Sequence, residues 1–248
     1  MKKYLPVLLL LLAFSAPAFA KSYTNGIDAN YPPFAYIDEN SGKPAGIDVD
    51  AMDWIAKTMG FDVKHVPIVW GAIIPALLAH KIDMICSGMT ITPEREKLVD
   101  FSEPYWKLRN VFVTRQDSGL TVAAILTEKI KIGGRRGTYA VTVLDRNQKE
   151  LKLRYQVRPY DSTPLMTEDV INGRIQAALM DSLPAQDAIS KGKPLRIAGT
   201  HGAPKNLGVA FRKEDEELRA LVNKGYAQLM ADPFWTQLMK KYDVKPLK

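Results

Sequence analysis

SGMTITPEREKLVDFSEPY, residues 87–105, follows an apolar run from Ile82 to Cys86 that reads as a buried strand. Ser87-Gly88-Met89-Thr90 is a tight segment whose small residues leave backbone N–H and C=O groups within reach of a ligand. Thr92 suits a helix N-cap and Pro93 the first helical position, so a short helix carrying Arg95 opens there. A strand, an exposed loop and a helix start bearing an arginine form an anion receptor. The planar guanidinium grips a carboxylate with two hydrogen bonds, the loop N–H groups and helix dipole favour the same charge, and the Thr90 hydroxyl adds a donor or acceptor. By itself the segment also fits a surface arginine pairing with Glu94 or Asp100.

Outward from this segment, short apolar runs alternate with amphipathic stretches, the pattern of an α/β protein. Tyr23–Ala29 reads as a strand that ends in Asp28-Ala29-Asn30. Tyr31-Pro32-Pro33-Phe34 is excluded from helix by its prolines. Ile47–Met59 has helical spacing and Gly60 to stop it. Phe61–Ile68 is the next strand, and Ile73–Ala79 the next helix, with Pro75 placed in its first turn. Beyond Val113 the alternation restarts. Strands are expected at Ile130–Gly133, Arg154–Val157, Ala177–Met180 and Leu207–Phe211. Helices are expected at Tyr139–Gln148, Pro164–Asn172, Leu183–Ser190, Asp215–Met230 and Pro233–Tyr242. Breaks near Val113 and Lys205 divide the chain into one lobe of residues 21–113 plus 206–248 and a second of 114–205.

The first twenty residues read as a cleaved export signal: Lys2-Lys3, an apolar run Leu5–Phe14, then Ala18-Phe19-Ala20 before polar Lys21-Ser22. The apolar run is short for a membrane span, and no cysteine follows the cleavage site to take a lipid. The expected product is periplasmic, soluble and monomeric. The single cysteine, Cys86, permits no internal disulfide and sits in an apolar run as a small buried hydrophobe. His65, His80 and His201 have no metal-ligand spacing, so neither a metal nor another cofactor is expected. The formal charge of +7 is spread without basic blocks interleaved with aromatics, which argues against nucleic acid as a partner. Residues 114–205 carry 15 Lys+Arg against 9 Asp+Glu, a modest basic excess over the other lobe.

Gly46-Ile47-Asp48-Val49-Asp50 leading into a helix, GMTITPER at Gly88–Arg95 and VDFSEPYW at Val99–Trp106 resemble, in this order, the signature blocks of the polar amino-acid solute-binding proteins. The resemblance covers essentially the whole exported chain. It implies a hinged two-lobe periplasmic-binding-protein fold of the second topological type, serving ATP-driven import, with a membrane permease as partner and a free amino acid as ligand. Carried over position by position, it assigns Arg95 to the ligand's α-carboxylate, and Gly88 and Thr90, within the loop Ser87–Thr90 that includes Met89, to the ammonium and carboxylate. Gly137-Thr138-Tyr139 would offer backbone N–H groups, Asp181 would meet the α-ammonium, and Tyr31 and Trp70 would flank the side chain, with Asp28 at its end.

These roles also stand on chemistry, since an amino acid needs an anion and a cation receptor side by side. Two hints about the side chain conflict. Asp28 favours a cationic or amide group, whereas Arg135 or Arg136, if either points inward, favours a neutral or acidic one. Tyr139 is bulkier than the family's usual small or hydroxyl residue. Asp48 and Asp50, two positions apart on a helix, do not face each other as a catalytic pair would and suit the helix dipole. A rival on the same scaffold is an enzyme resembling the periplasmic cyclohexadienyl dehydratases, with Asp181 or Asp28 as general acid.

Overall fold

The computed structural model describes residues 21–244, so the expected export signal, residues 1–20, lies outside the described residues. The chain enters β1 (Ser22–Ile27), crosses a small sheet of β2 (Asn30–Tyr31), β3 (Ala35–Ile37) and β4 (Pro44–Ala45), and continues through α1 (Ile47–Met59), β5 (Asp62–Pro67), α2 (Trp70–Leu78), β6 (Met84–Ile85), α3 (Pro93–Glu96) and β7 (Asp100–Phe101). The second lobe holds β8 (Trp106–Arg115), α4 (Val122–Thr127), β9 (Lys131–Arg135), α5 (Tyr139–Glu150), β10 (Gln156–Tyr160), α6 (Thr163–Ile171), β11 (Ala177–Asp181), α7 (Ser182–Ser190) and β12 (Leu195–Leu207). The chain then returns through β13 (Ala210–Phe211), α8 (Glu216–Ala231) and α9 (Pro233–Lys241).

Each lobe is built on a five-stranded sheet, ordered β5-β1-β6-β13-β7 in the first and β10-β9-β11-β8-β12 in the second. β1 is parallel to β5 and β6, and β9 to β10 and β11, as helical crossovers require. β13 breaks the parallel run in the first sheet and β8 in the second. β8 and β12 pair antiparallel from Leu195–Arg115 to Leu207–Trp106. The expected breaks near Val113 and Lys205 therefore fall within one two-stranded ribbon that carries both crossings.

Sequence pattern accounts for the framework. α1 turns Val49, Met52, Ile55 and Ala56 inward, and left-handed Gly60 (φ 77°) ends it by donating to the Ala56 carbonyl. With α8 and α9 it covers one face of the first sheet, where Met52, Ile55, Val222, Tyr226 and Leu238 form a common core. Two expectations shift. α2 starts at Trp70, three residues before the apolar run, so Pro75 lies inside the helix rather than in its first turn. β9 runs on to Arg135, two residues beyond the expected end, because Arg135 pairs with Tyr160 of β10. β2, β3, β4, β7, β8, β12 and α4 lie where the sequence pattern predicts no element.

Candidate functional site

The parallel strands of the first lobe end beside one another, and their C-terminal ends form one wall of a cleft. β1 delivers Asp28 immediately after Ile27, and β6 delivers the Ser87–Thr90 loop. Gly88 takes φ +62°, and a Cβ there would lie 2.5 Å from the Tyr31 ring, so glycine is required twice over. Its N–H donates to the carboxylate of Asp48, which is wholly buried and also accepts from the Tyr105 hydroxyl at 2.8 Å. Burial pushes the Asp48 carboxyl up to about 7 against these two hydrogen bonds. Asp50 instead bonds Lys241 and the Tyr242 hydroxyl, at 2.6 and 2.8 Å. The two aspartates thus have separate structural partners.

Arg95 sits in the short helix α3, whose N-cap Thr92 accepts from the Arg95 N–H at 3.3 Å. Its guanidinium pairs with neither Glu94 nor Asp100. Asp100 is held by Arg219 at 2.8 Å. The guanidinium reaches back to the Thr90 carbonyl at 2.7 Å and across the cleft to the Gly137 carbonyl at 3.2 Å, and lies 5.3 Å from the Trp70 ring centre. Trp70 Nε1 donates to the same Gly137 carbonyl at 3.3 Å.

The second lobe supplies the facing wall. β11 ends at Asp181, one carboxylate oxygen of which accepts from Asn110 Nδ2 at 2.7 Å and the other from the Tyr31 hydroxyl of the opposite lobe. Burial raises the Asp181 carboxyl above its ordinary range, and the Tyr31 hydrogen bond opposes the rise. Thr138 and Tyr139 lie at the start of α5, whose first N–H groups have no partner within the helix. Tyr31, Trp70, Gly88, Thr90, Arg95, Thr138, Tyr139 and Asp181 all line one cavity.

Three expected site residues do not line it. Met89 is packed in the core with Ile73 and Val99. The wholly buried Ser87 accepts from the Asp28 N–H at 2.9 Å and so shapes the loop from behind. Asp28 lies behind the cavity wall, 1% exposed, in an ion pair with Arg135 of the other lobe. Burial raises the Asp28 carboxyl and Arg135 opposes that rise. Arg135 is itself 5% exposed, with its guanidinium carbon 5.5 Å from the Tyr31 ring centre and 5.4 Å from that of Trp70. Arg136 points outward to Asp161 at 2.8 Å.

Three further participants come from strands the sequence pattern concealed or cut short. Asn110 lies on β8, Lys205 on β12 and Arg135 at the end of β9. Lys205 borders an adjoining cavity with Arg95 and Tyr139, and burial pulls its ammonium down to about 7. The sequence offers Arg135 through its place beside the Gly137 turn, as one of two arginines there that could point inward. For Asn110 and Lys205 there was no local signal.

Comparison with known proteins agrees with this architecture. The family described as bacterial extracellular solute-binding proteins, family 3, matches residues 23–245. An L-arginine-binding protein of Pseudomonas aeruginosa is 32% identical over 94% of this chain and 93% of its own length. The L-cystine-binding protein TcyJ of Escherichia coli K12 is 31% identical over 88% of this chain and 80% of its own. Among solved structures, the ancestral amino acid-binding protein AncCDT-1, a precursor of cyclohexadienyl dehydratase, superposes with a TM-score of 0.80. It is 32% identical and covers 89% of this chain and 95% of that one.

Proposed function

The chain belongs to the bacterial extracellular solute-binding proteins of family 3, and on that premise we propose that it captures a free polar amino acid for an ABC importer. Residues 21–113 with 206–248 would close on residues 114–205 around the ligand. The observation that carries the reading is that Arg95 of the first lobe and Asp181 of the second line the same cavity. A carboxylate receptor and an ammonium receptor on opposite walls match the two charges common to every α-amino acid, so only a closed pair of lobes engages both. Thr90 and the N–H groups at the start of α5 complete the carboxylate side, whereas Gly88, its N–H held by Asp48, offers its carbonyl to the ammonium. The Asn110 Oδ1, without a hydrogen-bond partner among the described residues, would serve beside Asp181 as a further acceptor for the ammonium.

Export to the periplasm, action as a monomer and delivery to a membrane permease complete the proposal. The Lys2–Ala20 pattern supports export, and membership of the family supports delivery to a permease. Arg95→Ala tests it. Because the guanidinium acts on the shared carboxylate, calorimetric titration should show binding of every amino-acid ligand weakened by about one to two orders of magnitude. Unchanged affinity would overturn the mechanism.

The rival enzymatic reading has some support from the raised Asp181 carboxyl and from AncCDT-1. Against it, both Asp181 oxygens already accept hydrogen bonds, from Tyr31 and Asn110. We propose that the protein is not an enzyme. Incubation with prephenate or arogenate should give no ultraviolet-absorbing aromatic product.

A further inference from the structure

Two aromatic faces and a buried aspartate make a receptor for a cationic side chain. Here that receptor is already filled from within. The Arg135 guanidinium lies about equally far from the Tyr31 and Trp70 ring centres, at 5.5 and 5.4 Å, and pairs with Asp28. Arg135 comes from the opposite lobe, so it enters the cage as the lobes meet and stands where the end of a bound arginine or lysine would otherwise reach Asp28.

The buried groups without partners point the same way. Arg135 is 95% buried, lines the cavity, and has an Nε–H with no acceptor among the described residues. Lys205 Nζ, beside Arg95 in the adjoining cavity, packs on the face of the Tyr139 ring and has no hydrogen-bond acceptor among the described residues. Both are donors. Around the two cavities, Arg95, Arg135, Arg146 and Lys205 stand against Asp28, Glu94 and Asp181, an excess of at least one positive charge while Lys205 keeps its proton. A zwitterionic backbone adds no net charge, so a side chain that brings acceptor oxygen, and a carboxylate above all, satisfies both the open donors and the balance.

We propose that Arg135 is the specificity-determining residue, and that the ligand is an amino acid whose side chain ends in an acceptor oxygen, a carboxylate or carboxamide, rather than in a cation. The proposal rests on the amino-acid-binding reading above and narrows it. It also separates this chain from its L-arginine-binding relative.

The test is calorimetric titration of the exported chain with glutamate, aspartate, glutamine, asparagine, arginine and lysine. At least one of the first four should bind ten or more times as tightly as arginine or lysine. Arg135→Leu should empty the cage and leave Asp28 facing two aromatic rings. Arginine affinity should then rise at least tenfold while that for the acceptor ligand falls. Asp28→Asn supplies a second variant that leaves no buried charge unpaired on the first lobe. It loosens closure for every ligand alike but frees Arg135, so the acceptor ligand should stay ahead of arginine and lysine by at least the wild-type ratio. Tighter binding of arginine or lysine by the wild type would overturn the proposal while leaving the amino-acid reading intact, as would loss of the acceptor preference in Asp28→Asn. Binding of no amino acid by the wild type would overturn both.

Discussion

Asp48 shows how a residue acquires a role that its neighbours in sequence do not reveal. At the start of α1 it suits the helix dipole, and nothing local says more. Its actual partners, Gly88 and Tyr105, are 40 and 57 positions away. It holds the Gly88 N–H and so the loop on which the proposed carboxylate receptor depends. Because burial raises its carboxyl from 3.8 to about 7, the folded state retains a proton that the unfolded chain releases. Stability from this residue is therefore complete below about pH 4 and is lost as the pH rises through about 7. Asp28 and Asp181 shift in the same direction, so they add to the fall. Thermal melts between pH 4 and 8 should show the midpoint declining in the wild type and declining less in Asp48→Asn. The amide keeps an acceptor for Gly88 and Tyr105 but cannot titrate. An equal decline in both proteins would remove Asp48 from the account.

At the scale of elements, helices with strong periodicity were the most readable. α1 runs from Ile47 to Met59 as its pattern requires, because a single face of apolar residues and a terminal glycine decide both its orientation and its end. Strands were read less well where pairing rather than composition defines them. β12 contains Gly199, Gly202 and Pro204 and is interrupted by register shifts, yet its pairing with β8 carries it through Leu207. That is why the sequence pattern is silent on Asn110 and Lys205 but not on Arg95, Asp181 and the Tyr31–Trp70 pair. α2 illustrates a further dependence. Its N-terminal residue, Trp70, faces the cleft, but its C-terminal end is fixed by a residue more than 130 positions on. Arg212, 6% exposed, donates to the carbonyls of Leu77 at 3.1 Å and Ile82 at 2.6 Å, and pairs with Asp215 at 2.7 Å. Arg212→Met keeps the aliphatic stem and strands those buried carbonyls. Urea unfolding should show a loss of about 2–4 kcal/mol. The order of ligand preference should stay the same, since Arg212 does not reach the cavity.

At the scale of the whole molecule, closure depends on contacts the chain makes with itself as well as with its ligand. Arg135 pairs with Asp28, Tyr31 donates to Asp181, and Trp70 and Arg95 both donate to the Gly137 carbonyl, every one of these running from lobe to lobe. The equilibrium between open and closed forms therefore has a built-in bias, and the ligand supplies only the remainder. Tyr31→Phe removes one tie while preserving the aromatic wall, and Asp28→Asn removes the charge from another. Each charge-assisted bond contributes about 1.5–3 kcal/mol when desolvated. Losing two should move the open-to-closed ratio by on the order of a hundredfold or more toward open. Small-angle X-ray scattering should then give the double variant a larger radius of gyration than the wild type in the absence of ligand, and saturating ligand should return it to the compact value. A ligand-free radius unchanged by the two substitutions would mean that the ribbon of β8 and β12, and not the facing side chains, sets the angle between the lobes.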